Sequence, residues 1–497
     1  MPPTASPPLP TRPSPTAQKA SGAYYTPSDV ADALVAWAVR TEDDWLLDPS
    51  CGDGRFIARH GRSVGVEQDP ESARATATRV PHATVHTSDF FTWAGATPER
   101  FECAAGNPPF IRYQTFNGAT RARALAMCAR HGARFSGLTS SWAPFLVAAA
   151  TLLRPGGRMA FVVPAEIGHA PYSAPLIEYL LAHFAHVQVV AVRDKFFPEL
   201  SEDCWLLYAD GYGGRTGGIQ FSACERFVPA PRPPECGVWV SAEEWRDVWN
   251  RRLRPYLLPQ SARDLYRAAA LHPESRRLGD FATVGIGYVS GANDFFHLRP
   301  SDAARLGIPD ACLHPSVRNG RALPAGAVTP ATVKEWVRAD EPMLLLRLLR
   351  GQRLPTAVTR YLDSPAAQEA RTAYKCRTRD PWYAVPDVRV PDYMLSYMSG
   401  RAAALVQNAA GVTCTNAVHA VQVRDHALAG SLLPQWGAPL IQLSCELEGH
   451  ALGGGMLKLE PREAAQVLLP APGLTQEEDA VVQDGLATLR RWRHYNA

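Results

Sequence analysis

Apolar and polar positions alternate in a regular way over the N-terminal part of the chain. Short apolar runs at Trp45–Leu47, Val64–Val66, Thr84–His86, Phe101–Ala105, Met159–Val163 and Val187–Val192 read as strands. Helical patterns separate most of them. One starts at Pro27-Ser28-Asp29 with Val30, Leu34, Trp37 and Ala38 at helical spacing, and a long one over Thr139–Leu153 stops at Arg154-Pro155-Gly156-Gly157. Such alternation predicts an α/β domain: a mainly parallel, seven-stranded sheet with helices on both faces. The seventh run, Cys204–Tyr208, is expected to return as an antiparallel edge strand. The pattern changes after residue 225. Pro229, Pro231, Pro233 and Pro234 mark a linker over 226–236, and a second, α+β domain is expected over 237–497. Residues 1–20, proline-rich and nearly free of large apolar groups, predict a disordered tail ahead of the first domain, 21–225.

Composition agrees with this division. A chain of 497 residues is too long for one ordinary core, and 46% hydrophobic with 20% charged residues is globular. The net charge of +3 neither demands nor excludes a nucleic-acid partner. Nearly all the cations are arginine, because the only lysines are Lys19, Lys195, Lys334, Lys375 and Lys458. Arginine suits bidentate contact with phosphates and guanine edges, although a coding bias towards Arg, Ala, Pro and Gly explains the same excess. Ten scattered cysteines without a CxxC pair suggest neither a disulfide framework nor a zinc site, and no metal is expected. The longest apolar stretch, Ala143 to Leu153, is too short to span a bilayer, and the N-terminus has no apolar signal core. A cytoplasmic, soluble protein is the expectation.

Candidate chemistry gathers at the strand ends. Leu46-Leu47-Asp48-Pro49-Ser50-Cys51-Gly52-Asp53-Gly54 is a strand that breaks into a glycine loop, where Gly52 and Gly54 let the backbone turn and approach a ligand. Acids follow at successive strand ends: Asp48, Glu67 in Gly65-Val66-Glu67, and Asp89 in Ser88-Asp89-Phe90. Glu67 is placed to accept ribose hydroxyls, Asp89 to reach an adenine amino group, and Phe90 to stack on that ring. Negative charge at Asp48 suits a sulfonium and an ammonium. A nicotinamide dinucleotide fits less well: the loop lacks the third fingerprint glycine, and Glu67 comes sooner than the roughly 20-residue spacing of the ribose acid. S-adenosyl-L-methionine is the expected cofactor.

Asn107-Pro108-Pro109-Phe110 follows the fourth strand at the same sheet edge. An exocyclic amine on an aromatic base is a poor nucleophile, because its lone pair is delocalised into the ring. If the Asn107 side-chain oxygen and the Pro108 carbonyl each accept one of its N–H groups, the nitrogen is drawn towards tetrahedral geometry. The prolines hold the carbonyl rigidly and donate nothing in competition. Phe110 is expected to stack on the target base, flipped out of its duplex at a cost of a few kcal/mol. Phe197, in Lys195-Phe196-Phe197-Pro198, is the candidate second stacking partner, with ordinary packing as its alternative role.

The series Tyr25-Thr26-Pro27, Asp48-Pro49-x-Cys51-Gly52-x-Gly54, Gly65-Val66-Glu67, Ser88-Asp89-Phe90, Asn107-Pro108-Pro109-Phe110 and Phe197-Pro198 resembles, in order, the TaqI-type (gamma-class) adenine-N6 DNA methyltransferases of restriction-modification systems. The resemblance covers residues 21–225. It implies a Rossmann-like class I methyltransferase domain followed by a DNA target-recognition domain. It also implies cofactor contacts from Thr26, Asp48, Glu67, Asp89 and Phe90, and a flipped base held by Asn107, Pro108, Phe110 and Phe197. The family often carries Tyr where Phe110 stands, so a phenol hydroxyl is absent here. Double-stranded DNA is the implied partner, and any restriction endonuclease is expected to be a separate chain.

In the second domain, Gly285–Phe296 and Gly453–Pro461 resemble target-recognition halves of such enzymes. Tyr374–Tyr383 mixes cations with aromatics, as a DNA-facing loop or as a solvated loop over packed rings. Three alternatives stay open: an N4-cytosine DNA methyltransferase, an N-methyltransferase of RNA or of protein glutamine, and a DNA-binding module with an inactive methyltransferase fold.

Overall fold

The computed structural model describes residues 26–198, 202–452, 454–470 and 473–495. The predicted tail at 1–20, Tyr25 and Gly453 lie outside them. The chain divides into two units, Met1–Leu257 and Leu258–Ala497.

The first unit is built on a nine-stranded sheet: β1 (Leu46–Asp48), β2 (Ser63–Glu67), β3 (Thr84–Thr87), β4 (Phe101–Gly106), β5 (Leu153–Pro164), β6 (Phe184–Val192), β7 (Cys204–Tyr212), β8 (Gly218–Cys224) and β9 (Val238–Ser241). Their spatial order is β3-β2-β1-β4-β5-β7-β6-β8-β9. Pairing is parallel from β3 through β5. The helices are α1 (Ser28–Ala38), α2 (Pro70–Arg79), α3 (Phe90–Ala96), α4 (Gly118–Arg130), α5 (Trp142–Thr151) and α6 (Ala174–His183). The α1 helix buries Val30, Leu34, Val35 and Ala38 against Leu46, Cys103, Ala105 and Val162 of the sheet. Its outer residue Trp37 meets Tyr208 edge-on, with Arg158 over its ring.

Four expectations change. The run Cys204–Tyr208 is no edge: β7 lies between β5 and β6, antiparallel to both. Its first six residues are all buried, the mark of a strand covered on both faces. The sheet has nine strands and not seven, because β8 pairs parallel with β6 and β9 pairs antiparallel with β8. Residues 226–236 are therefore the connection between two paired strands. Gln188 donates to the Pro234 carbonyl and Ser222 to the Cys236 carbonyl, at 2.7 Å each, which ties that loop to the sheet. The division falls instead at Leu257. The helix expected over Thr139–Leu153 is α5, starting only at Trp142, and Arg154–Gly157 is the bulged start of β5.

The second unit is α+β, as expected. A five-stranded sheet, a four-stranded sheet and two smaller ones are joined by short helices. The C-terminal helix Gln476–Trp492 packs against Gln260–Leu271, which opens the unit, and against Pro439–Glu448.

Candidate active site

Strand order reverses at β1: β2 and β3 extend to one side of it, β4 and β5 to the other. Open α/β sheets bind ligands at the carboxyl ends of strands at such a switch point. Here β1 ends in Asp48 and β4 runs through Gly106 into Asn107. The two ends touch. A Cβ on Gly106 would stand 2.8 Å from Asp48 Oδ1, so only glycine lets the strands' loops approach this closely. Ser50 Oγ donates to the Asn107 carbonyl at 3.2 Å, a second tie between the glycine loop and the Asn-Pro-Pro-Phe loop.

Asp48 is 1% exposed. Its Oδ1 accepts the Ser50 N–H at 3.0 Å, while the buried Oδ2 has no hydrogen-bond partner. Burial pushes the carboxyl up to about 8; the Ser50 bond opposes this, and the charges of Glu67 and Asp53 add to it. Glu67, at the end of β2, accepts the Gly52 N–H at 3.1 Å and the Asp69 N–H at 2.8 Å. It thereby shapes the loop, and each carboxylate oxygen keeps a further acceptor site. Gly52 sits at φ +47°, and a Cβ there would meet nothing within 4 Å, so the loop opens onto free space. Gly54, at φ +80°, completes the turn. Thr76 on α2 donates to the Gly52 carbonyl at 2.5 Å.

Asp89 caps α3, accepting the Thr92 N–H at 2.9 Å and the Thr92 hydroxyl at 2.7 Å, with Arg123 at 3.4 Å. Phe90 is 3% exposed and stacked on Phe145 with ring centroids 5.0 Å apart. Phe91 and Trp93 also lie against it, so the ring is almost completely covered by protein. Thr26 is buried, and its carbonyl accepts from Arg55 at 2.5 Å. Asn107 is half-buried and Pro108 buried. Phe110 is half-buried and packs against the cluster that contains the buried Phe196 and Phe197. The expected stacking pair therefore belongs to one apolar cluster, with Phe197 inside it.

Residues 250–494 match the family described as type II methyltransferase M.Eco57I, C-terminal domain. The type II methyltransferase M.CvrRI of Paramecium bursaria Chlorella virus XZ-6E is 33% identical over 100 residues, 19% of this chain and 26% of that protein. The type II methyltransferase M.TthHB8I of Thermus thermophilus is 28% identical over 285 residues, 53% of this chain and 62% of that protein. The chain thus spans less than two thirds of the length of either relative. Among solved structures, the DrdV–DNA complex aligns with 88% of this chain and 54% of its own, at 11% identity and a TM-score of 0.47. Both sequence relatives are type II methyltransferases, and the chain is similar to each over part of its length.

Residues without a sequence motif hold the second loop in place. Ser141, just before α5, accepts the Ile111 N–H at 2.9 Å, donates its hydroxyl to the Pro109 carbonyl, and donates its own N–H to the Ile111 carbonyl at 2.9 Å. Next to it, Trp142 donates to the Tyr172 oxygen at 3.0 Å, and Tyr172 donates to Glu166. Burial and the Glu166 charge push the Tyr172 phenol well above its ordinary range, so it stays a donor. Arg112, two residues past Phe110, pairs with Glu202 at 2.7 Å. Ser141 stands thirty-odd positions from the loop it fixes, and only the fold brings the two together.

Proposed function

We propose that this protein is a DNA methyltransferase that transfers a methyl group from S-adenosylmethionine to the exocyclic N6 of an adenine flipped out of duplex DNA. The observation that carries the reading is the meeting of Asp48 and Gly106 at the switch point, which joins a cofactor-type acid loop to an Asn-Pro-Pro-Phe loop. The similarity to type II methyltransferases supports a role in a restriction-modification system. Among the described residues no helix is long and apolar enough to cross a membrane.

The residues fit the cofactor. Asp48 Oδ2 is a buried acceptor without a partner, suited to an ammonium or sulfonium, and the open space above Gly52 gives room for a ligand against the loop backbone. Thr26, Asp48, Glu67, Asp89 and Phe90 would hold it, Glu67 through its spare acceptor sites on the ribose. Bound there, S-adenosylmethionine supplies an electrophilic methyl carbon. The chain's own part is positioning and electrostatics. Asn107 Oδ1 and the Pro108 carbonyl accept the two amine hydrogens of the base, which turns the nitrogen lone pair out of conjugation. Ser141 and Ser50 fix the backbone of that loop from both sides, so the acceptors need no rearrangement. Phe110 stacks on the base.

Asn107→Ala tests the assignment. Methyl transfer to duplex DNA should fall at least about a hundredfold while calorimetric affinity for S-adenosylmethionine stays within about twofold, since removing one such positioned group costs on the order of 10²–10³ in rate. Normal turnover in that variant would remove Asn107 from the mechanism. Competition among duplex DNA, RNA and protein identifies the substrate class, and transfer to RNA or protein alone would refute the DNA reading.

A further inference from the structure

Two segments that stand out in the sequence, Gly285–Phe296 and Tyr374–Tyr383, line one groove of about 650 Å³ in the second unit. Its floor is the outward face of two antiparallel strands, Ala282–Ile286 and Val418–Val423. Thr283 lies opposite Gln422, and Gly285 opposite Ala420. Ala282, Val284, Val421 and Val423 of the same strands pack into one core cluster on the opposite face, while Val418 and Ala420 join a second cluster beside the groove. Ala282–Ile286 is an edge strand, paired on one side only.

Gly285 is the informative residue. It has no positive φ, and a Cβ there would meet nothing within 4 Å. Neither turn geometry nor packing asks for glycine at this position, whereas a glycine inside a strand weakens it. Two residues on, Gly287 contrasts with it: a Cβ there would stand 2.2 Å from the Cys414 carbonyl oxygen. The remaining reason for glycine at 285 is close approach of something outside the fold. The groove walls carry Lys375, Arg379 and Arg389 against a single carboxylate among the lining residues, Asp387. Arg379 is engaged with the Val289 and Ser290 carbonyls and braces the loop. Lys375 and Arg389 are exposed, and neither has an ion-pair partner among the described residues.

We propose that this groove is a DNA-contact site of the second unit: duplex DNA lies with a phosphate backbone between Lys375 and Arg389, close against the strand at Gly285. The inference rests on the DNA reading above and names where in the second unit the duplex is held. A polyanion suits a groove with three cations and one carboxylate. Of the strand residues lining the groove, Thr283, Gly285, Ala420 and Gln422 are small or polar and Ile286 alone is large and apolar, which suits a phosphate backbone better than a peptide's apolar side chains.

The test uses the full chain and fluorescence anisotropy with a labelled mixed-sequence duplex between about 50 and 200 mM salt. The double variant Lys375→Ala/Arg389→Ala should lower the slope of log affinity against log salt by about 1.8, two phosphate contacts at about 0.9 each, and weaken binding at least tenfold at the low-salt end. Gly285→Val fills space that the protein leaves open and puts a strand-favouring residue in a strand. It should weaken duplex binding at least tenfold with no drop in thermal midpoint, a combination that a purely structural glycine would not give. Arg305→Ala, on a surface helix where Arg305 pairs with Asp302, should change neither. Wild-type affinity and slope in the double variant, or wild-type affinity in Gly285→Val, would overturn the proposal. If the wild type binds duplex but methylates no base, the functional reading fails and the slopes still decide the groove. If the wild type binds no duplex, both fall.

Discussion

Replacing Asp48 by Asn isolates the unusual electrostatics of the first loop. The carboxyl is 1% exposed and pushed from an ordinary 3.8 up to about 8 by burial. An acid whose folded pKa is raised binds more protons folded than unfolded, so stability is greatest below the unfolded value and declines as pH rises towards the folded one. The window here runs from about pH 4 to about pH 8. At 1.36 kcal/mol per unit, the decline by pH 7 is on the order of 4 kcal/mol. Asp48→Asn removes the titrating group, so urea unfolding of the free protein at pH 5, 6, 7 and 8 should lose that share of its pH dependence. Cofactor binding supplies a second readout. A cation against Asp48 favours the carboxylate, and a group about nine-tenths protonated at pH 7 must then release close to one proton. Calorimetric titration with S-adenosylmethionine in two buffers of different ionisation enthalpy measures this directly. The wild type should release about 0.9 proton at pH 7 and the variant none, with weaker affinity. Binding to the wild type without proton release, or an unchanged pH dependence of stability in Asp48→Asn, would refute the assignment of Asp48.

Other perturbations separate roles by readout. Glu67→Ala removes the acceptor of the Gly52 and Asp69 N–H groups, so calorimetry should show cofactor affinity reduced by at least about tenfold; unchanged affinity would exclude a ribose contact. Phe197→Ala empties a site that is 3% exposed, and denaturant unfolding should register a loss of about 3–5 kcal/mol. If Phe197 also stacks on a flipped base, turnover should fall less on a duplex with a mismatched target than on a paired one, and equal losses would leave it a packing residue. Arg493 is fully buried, pairs with Glu446 at 2.8 Å and donates to the Gly400 and Gly455 carbonyls. Arg493→Met takes the nearer of two cations from a buried carboxylate, leaving Arg490 at 3.8 Å, and should destabilise the second unit by about 3 kcal/mol in urea unfolding; a loss under about 1 kcal/mol would show the pair to be incidental.

Periodicity reveals elements whose burial is one-sided or complete over a short run, which is why β1 to β6 and α1 stand where the sequence predicts them. It says little about neighbours. Cys204–Tyr208 reads as a strand, yet its place between β5 and β6 depends on pairing partners forty or more residues away in β5. Gly218–Cys224 buries only alternate apolar residues, Ile219 and Phe221, and its glycine, glutamine and serine hide the strand. The prolines at 229–234 look like a domain linker because proline cannot join a ladder, but a loop between paired strands satisfies the same chemistry. At the site, strand-end acids and Asn107-Pro108-Pro109-Phe110 are legible because their spacing follows the strands. The Asp48–Gly106 contact and the Ser141 clamp are not, since each joins residues from separate crossovers. Phe90 and Phe197 lie in apolar clusters deeper than their motif positions suggest: an aromatic beside an acid looks the same in sequence whether it faces a ligand or a core.

The most direct test of the account is to incubate the protein with radiolabelled S-adenosylmethionine and mixed-sequence duplex DNA, digest the DNA to nucleosides, and locate the label. Label in N6-methyladenine, lost in Asn107→Ala, is the predicted result. Label in N4-methylcytosine would contradict the adenine assignment, and DNA without label would contradict the central claim.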